Sequence, residues 1–251
     1  MSIDEELARL IDEIARKFHS ESLDELPLFL EARKINKLFH FTPVQNIKSI
    51  FKFGILGIDE LQRRGIEFKS SDRSRSDPIP NGICVSLTNA NDYMLSRKLS
   101  QGFHMALLEL KPALEILSNL TFIASPGNFG RQDHKTRILN WPEKYCGGNG
   151  ISNLFTNEPI REKYGLLSSQ PTDPQSELIF LDPIPSKFIS KVILPSGRAY
   201  ASEDEVRRLV LDLPKGTLIQ SKNQSEFPQI VWSDKNRVRE FEERKWKIEW
   251  E

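Results

Sequence analysis

Beyond about residue 35 the chain is cut into short apolar runs, and this restricts its possible folds more than any other feature. Ile83 to Leu87, Met105 to Leu110, and the stretches 177–181 and 188–194 are each of strand length. Turn residues separate them: Lys111-Pro112 stops the second run, and Asp182-Pro183-Ile184-Pro185 divides the last two. The order is a strand, a helix, then many strands with short helices between them. That order predicts an α+β fold with a bent, mixed or antiparallel sheet core and peripheral helices, not a doubly wound sheet.

Ahead of these runs, Leu7, Leu10, Ile11, Ile14, Ala15 and Phe18 recur at helical spacing and predict a helix over 4–18. Ser22 or Asp24 can cap a second short helix running through Leu30–Ala32. Residues 35–42 end in a strand. Pro43 to Phe53 reads as a helix with Val44, Ile47, Ile50 and Phe51 on one face, Thr42 as its cap and Gly54 as its stop. Ile55-Leu56-Gly57 begins an extended piece. Residues 70–82 are a polar loop, 91–99 a short helix and 112–117 a turn or helix. The stretch 124–150, rich in Gly, Asn and Pro, reads as an irregular excursion, and 152–165 as helical. Ser202 with Glu205 forms a capping box for a helix over 202–213. Strands are expected at 218–220 and 230–232, then a charged helical tail from Lys235. The implied division is a helical N-terminal arm (1–34), a core (35–195) and a C-terminal extension packed on it (196–251).

Composition narrows the functional classes. Of 251 residues, 38% are hydrophobic, enough for a core, and no apolar run approaches the roughly 20 residues of a membrane span. The acidic start lacks the pattern of a secretory signal, and two cysteines make no disulfide framework, so a reducing, cytoplasmic setting is expected. Cys84 reads as a buried thiol. Four His and two Cys show no metal-ligand spacing, and no metal is expected. The net charge is +0, yet residues 1–35 carry −4 and residues 36–112 carry +4. A basic segment beside an acidic arm permits a polyanionic substrate without demanding one.

Two strand-like segments carry polar residues that a purely structural strand does not need: Leu38-Phe39-His40-Phe41-Thr42, running on to Asn46, and Gln175-Ser176-Glu177-Leu178-Ile179-Phe180. Glu177 opens its strand, where a carboxylate either meets solvent or serves chemistry. Gln175, two residues earlier, points to the same side of an extended chain. Ser86 ends an apolar run and is either an ordinary strand-end residue or a pocket hydroxyl. Thr42 and Asn46 either stabilise the helix start or bond a ligand.

These segments, in this order, resemble the DarT family of single-stranded DNA ADP-ribosyltransferase toxins. The segment 38–50 is similar to the family's opening strand and helix, 83–94 to its Ser-bearing strand, and 171–180 to its Gln-x-Glu strand. The resemblance covers roughly 35–195 and implies an ADP-ribosyltransferase-like core that uses NAD as substrate. It implies Glu177 and Arg75 as catalytic residues. It places His40, Thr42, Asn46, Arg73, Ser86 and Tyr93 against the cofactor, with Tyr93 either stacking on nicotinamide or half-buried in its helix. Guanidinium groups such as Arg73 and Arg75 suit a pyrophosphate. Gln175, Arg161, Lys163 and Tyr164 would meet the acceptor through phosphate contact and base stacking, the combination that binds single strands. The partners implied are single-stranded DNA and a separate macrodomain antitoxin. An RNA or protein acceptor, or a non-catalytic nucleotide-binding role, are the competing expectations.

Overall fold

In the computed structural model the described residues are 3–21, 23–71, 79, 81–87, 92–129, 137 and 140–196, with the backbone strands 218–223, 229–232 and 246–249. Helix α1 (Ile3–Glu21) and α2 (Leu26–Ala32) precede strand β1 (Leu38–Pro43), α3 (Ile47–Phe53) and α4 (Ile58–Arg63). Then come β2 (Ile83–Val85), α5 (Asp92–Ser100), β3 (Met105–Leu110), α6 (Ala113–Asn119) and β4 (Phe122–Ser125). Helices α7 (Gly147–Asn153) and α8 (Glu158–Lys163) lead to β5 (Glu177–Phe180), β6 (Ile189–Ser196), β7 (Leu218–Asn223), β8 (Gln229–Trp232) and β9 (Trp246–Glu249).

The strands make an α+β fold with a mixed sheet of order β1-β3-β6-β7 and an antiparallel sheet of order β2-β5-β4. Only the β6–β7 pairing is parallel in the first sheet. The two sheets touch through an isolated antiparallel bridge, Phe39 with Ser86, closed by reciprocal N–H···O bonds of 2.8 Å.

Alternation along the strands explains why they read as unbroken apolar runs. Leu38, Val85, Leu108, Leu110, Phe122, Leu178, Phe180 and Val192 belong to one central core. Their neighbours face the other way. Ile123 and Ile179 pack with Ile11 and Ala15 of α1, while Phe39, Leu107 and Ile193 pack with Leu95 and Leu99 of α5. Each sheet is therefore covered on both faces, which removes the polar half of the strand pattern. Leu10, counted on the apolar face of α1, is 47% exposed. Arg16 ties this helix to the turn after β5 through Asp182 at 3.0 Å.

Several expectations need correction. The segment after β1 begins as a 3-10 turn (Val44–Asn46) before α3, and Thr42 is a strand residue opposite Ala106, not a cap. Asp24 does not cap α2, whose N-cap position is Glu25 without a side-chain bond, and Ser22 lies outside the described residues. The piece after Gly57 is helical, because Glu60 pairs with Arg63 and Arg64 one turn on. The supposedly irregular stretch contains the end of β4 and α7, a helix of sequence Gly-Gly-Asn-Gly-Ile-Ser-Asn. Its poor propensity is overcome by burial: a Cβ at Gly150 would lie 2.5 Å from the Tyr145 backbone and 3.1 Å from the Ala124 Cβ. The tail at 246–249 is a strand paired with β8, not a helix. The expected helix over 202–213 lies outside the described residues. Among the described residues, no helix is long and apolar enough to cross a membrane.

Glu109, one residue before the end of β3, is a buried charge with three partners. Lys111 and Lys37 approach at 3.0 and 3.2 Å, and the Ser190 hydroxyl donates at 2.9 Å. Burial raises its pKa, but the hydrogen bonds from Lys111, Ser190 and Lys37 prevail and hold it at about 2. A depressed folded-state pKa stabilises above the unfolded value near 4.5 and loses that contribution as pH falls toward 2. Between pH 5 and 2 the wild type is expected to lose roughly 3 kcal/mol more than Glu109→Gln. Denaturant melts across this range check it, and parallel pH profiles would refute it.

Candidate functional site

After their single bridge at Phe39 and Ser86, β1 and β2 pair no further. The imidazole of His40 fills in for the missing ladder, its Nδ1 lying 2.8 Å from the Cys84 carbonyl oxygen. A carbonyl only accepts, so Nδ1 carries a proton in this contact. A cleft of about 240 Å³ opens at this split. Its lining brings together His40, Thr42, Asn46, Ser86 and Glu177, residues from three distant parts of the sequence.

Glu177 begins β5 opposite Ser125 of β4, and the β2–β5 register carried one step past Val85–Leu178 sets it opposite Ser86. Its carboxylate accepts from the Phe129 N–H at 2.7 Å, which orients it and fixes the turn after β4. Asn128, in that turn, also lines the cleft. Thr42 is buried and its hydroxyl accepts from Asn46 Nδ2 at 3.1 Å.

Asn46 has a second task. Its Nδ2 donates to the Lys69 carbonyl at 2.9 Å, and its Oδ1 accepts from the Lys69 N–H at 2.7 Å. One side chain thereby imitates a strand neighbour and holds residues 68–71 as a wall of the cleft. Its amide is spent on the chain, so Asn46 shapes the cleft from within. Cys84, expected to be buried, is half-buried and borders the cleft. Cys146 is the fully buried thiol, pushed up to about 12 by burial and by Glu143.

The remaining expected site residues are either outside the described residues or absent from the lining. Arg73 and Arg75 are outside the described residues; Ser71, the last described residue before them, lines the cleft. Tyr93 is on α5, with only its backbone described, and its neighbour Met94 borders the cleft. Gln175 is half-buried, its N–H donating to Asp173 Oδ1 at 2.8 Å, and it is absent from the lining. Lys163 and Tyr164, at the end of α8, are also absent from it.

Arg161 differs most from expectation. It is 4% exposed, and its guanidinium donates to the carbonyls of Gln170 at 2.7 Å and Leu167 at 2.9 Å. Burial and nearby Arg33 push its pKa below the ordinary arginine value, against the pull of Glu158. It is a brace inside the 165–172 loop, not a surface ligand for phosphate. Arg161→Met strips those carbonyls of their donor and is expected to cost roughly 2–3 kcal/mol of stability. Thermal unfolding measures this; an unchanged midpoint with weakened oligonucleotide binding would restore the surface role.

Lys98 and Asn128 are cleft residues that sequence reasoning missed. A signal existed for Lys98, which lies one helical turn beyond Met94 on the same face of α5.

No family model and no curated protein matches the chain. Among solved structures, the DarTG protein of Thermosipho africanus in complex with ADP-ribose is similar, with 15% identity and a TM-score of 0.50. That similarity covers 80% of this chain and 54% of the other, so this chain spans about half the length of DarTG. The DarT protein of Thermus sp. 2.9 in complex with NAD+ has 15% identity over 75% of this chain and 96% of its own, with a TM-score of 0.46. In complex with carba-NAD+, the same protein gives 14% identity, the same coverage and a TM-score of 0.49. The DarTG likeness identifies the fold: this chain has a DarTG-like α+β architecture.

Proposed function

We propose that the protein is an ADP-ribosyltransferase that takes NAD as substrate and modifies a base in single-stranded DNA. The observation that carries this reading is the convergence of His40, Thr42, Ser86 and Glu177 on one cleft at the split between β1 and β2. DarTG of Thermosipho africanus, which shares the fold, is known in complex with ADP-ribose.

The chemistry suits the groups. The bond between ribose C1′ and the nicotinamide nitrogen breaks, nicotinamide leaves with the electron pair, and the ribose becomes oxocarbenium-like. Glu177, an oriented carboxylate in a sheltered cleft, stabilises that charge. A base nitrogen then bonds to C1′, and its proton passes to the carboxylate. Arg75 and Arg73 would clamp the pyrophosphate, and Gln175 with the chain before it would face the acceptor. In this reading residues 35–195 form the catalytic core. The protein acts as a toxin, and a separate macrodomain protein removes its mark.

The test is transfer from labelled NAD to single-stranded DNA, RNA and protein offered together. Label on DNA alone is the expected result. Label on RNA or protein alone would redirect the acceptor assignment, and absence of both transfer and NAD binding would overturn the reading.

A further inference from the structure

We propose that Ser125 is a positioning residue of the reaction, aiming the carboxylate of Glu177 through the turn that follows β4. The assignment rests on the catalytic reading of Glu177 and deepens it. Strand β4 is buried along its whole length, and Phe122, Ile123 and Ala124 meet that burial with apolar side chains. Ser125 does not, although it is 0% exposed. A hydroxyl in such a place needs a partner. It finds one two residues on, donating to the Gly127 carbonyl at 2.8 Å. The bond closes a tight turn around Pro126, whose ring limits φ and which brings no N–H of its own to satisfy.

The far end of the turn is fastened differently. Phe129 is 1% exposed and packs with Ile11, Ala15, Tyr145 and Ile179. Between the two anchors Asn128 borders the cleft. From this held turn the Phe129 N–H donates to Glu177 Oε1, 2.7 Å away. Ser125 is also the cross-strand partner of Glu177 in the β4–β5 register. The turn therefore starts beside the glutamate backbone and ends at the glutamate carboxylate, and the serine fixes the span between them. Glutamate side chains sample several rotamers, and a donor at a fixed point selects among them. Electrostatic help to a developing ribose cation depends on that selection, since misplacement by about 1 Å can cost roughly a hundredfold in rate.

The test measures single-turnover transfer from labelled NAD, with single-stranded DNA, RNA and protein offered together, and NAD binding separately. Wild type is compared with Ser125→Ala, Glu177→Gln and the double variant. Ser125→Ala is expected to slow transfer roughly tenfold, with NAD affinity within about threefold of wild type. In the Glu177→Gln background the same change should cost less than about twofold, because the carboxylate that Ser125 serves is gone. Equal losses in the two backgrounds would make Ser125 a support of the fold and overturn the assignment. So would an unchanged rate, or a fall in NAD affinity as large as the fall in rate. Phe129→Leu loosens the other anchor, is expected to repeat the pattern, and decides the question if Ser125→Ala does not fold. Wild-type protein that transfers to none of the acceptors would overturn the catalytic reading itself. That outcome is distinct from a wild type that transfers and a Ser125→Ala variant that matches it.

Discussion

Glu177→Gln is expected to lower the rate of ADP-ribose transfer by about 10²- to 10³-fold, the usual cost of removing one oriented electrostatic group from a transition state. Glutamine is the informative replacement. Its amide oxygen can still accept from the Phe129 N–H, now bonded to the carboxylate at 2.7 Å, so the turn bearing Asn128 stays in place. The negative charge alone disappears. Glu177→Ala removes both the charge and the tether, so it loses activity to a similar degree and also loosens that turn. Single-turnover transfer to a labelled oligonucleotide separates chemistry from binding, and NAD affinity should change little for the glutamine variant. A glutamine variant within about threefold of wild type would show that the carboxylate orients a turn and does no chemistry.

The second large effect is structural. Gly54→Ala is expected to cost roughly 2–4 kcal/mol of stability and to disturb the cleft with it. Gly54 ends α3 with φ 84° and ψ 179°, a conformation open to glycine and nearly closed to other residues. A Cβ there would sit 2.7 Å from the Ile184 carbonyl oxygen, which is backbone and cannot swing aside. That carbonyl accepts from the Ile55 N–H at 2.8 Å, and the Ile184 N–H returns a bond to Ile55 at 3.0 Å. The alanine must therefore push apart the bridge that fixes Gly54, Ile55 and Leu56 along the cleft. Chemical denaturation gives the stability change, and a loss below about 1 kcal/mol would mean that this bridge yields easily.

Much of the fold was legible because its strands are short and covered on both faces. Runs such as 105–110 and 177–180 announce themselves as strands by length and apolar content alone. What they conceal is partnership. β5 lies between β2 and β4, and β3 between β1 and β6, pairings that span tens of residues and follow no local signal. The helix α7 was invisible for the opposite reason. Its glycines argue against a helix, and it exists because Gly150 allows the helix to sit against the Tyr145 backbone and Ala124. The tail reads as a helix from its charge pattern, and strand β9 exists through its backbone pairing with β8.

The site divides along the same line. His40, Thr42, Ser86 and Glu177 could be picked out from the sequence because each interrupts or ends an apolar run, and polar groups in such places need a partner or a purpose. The sequence by itself therefore determined which strand ends carry polar groups that need a partner or a purpose. Only the tertiary structure decided that β1 and β2 part after one bridge and leave a cleft there. It also decided which long basic side chains border that cleft: Lys98 does, whereas Arg161 turns inward to hold the 165–172 loop. The physical reason is that a side chain's type is local, but the direction it faces is set by packing between elements far apart in the chain.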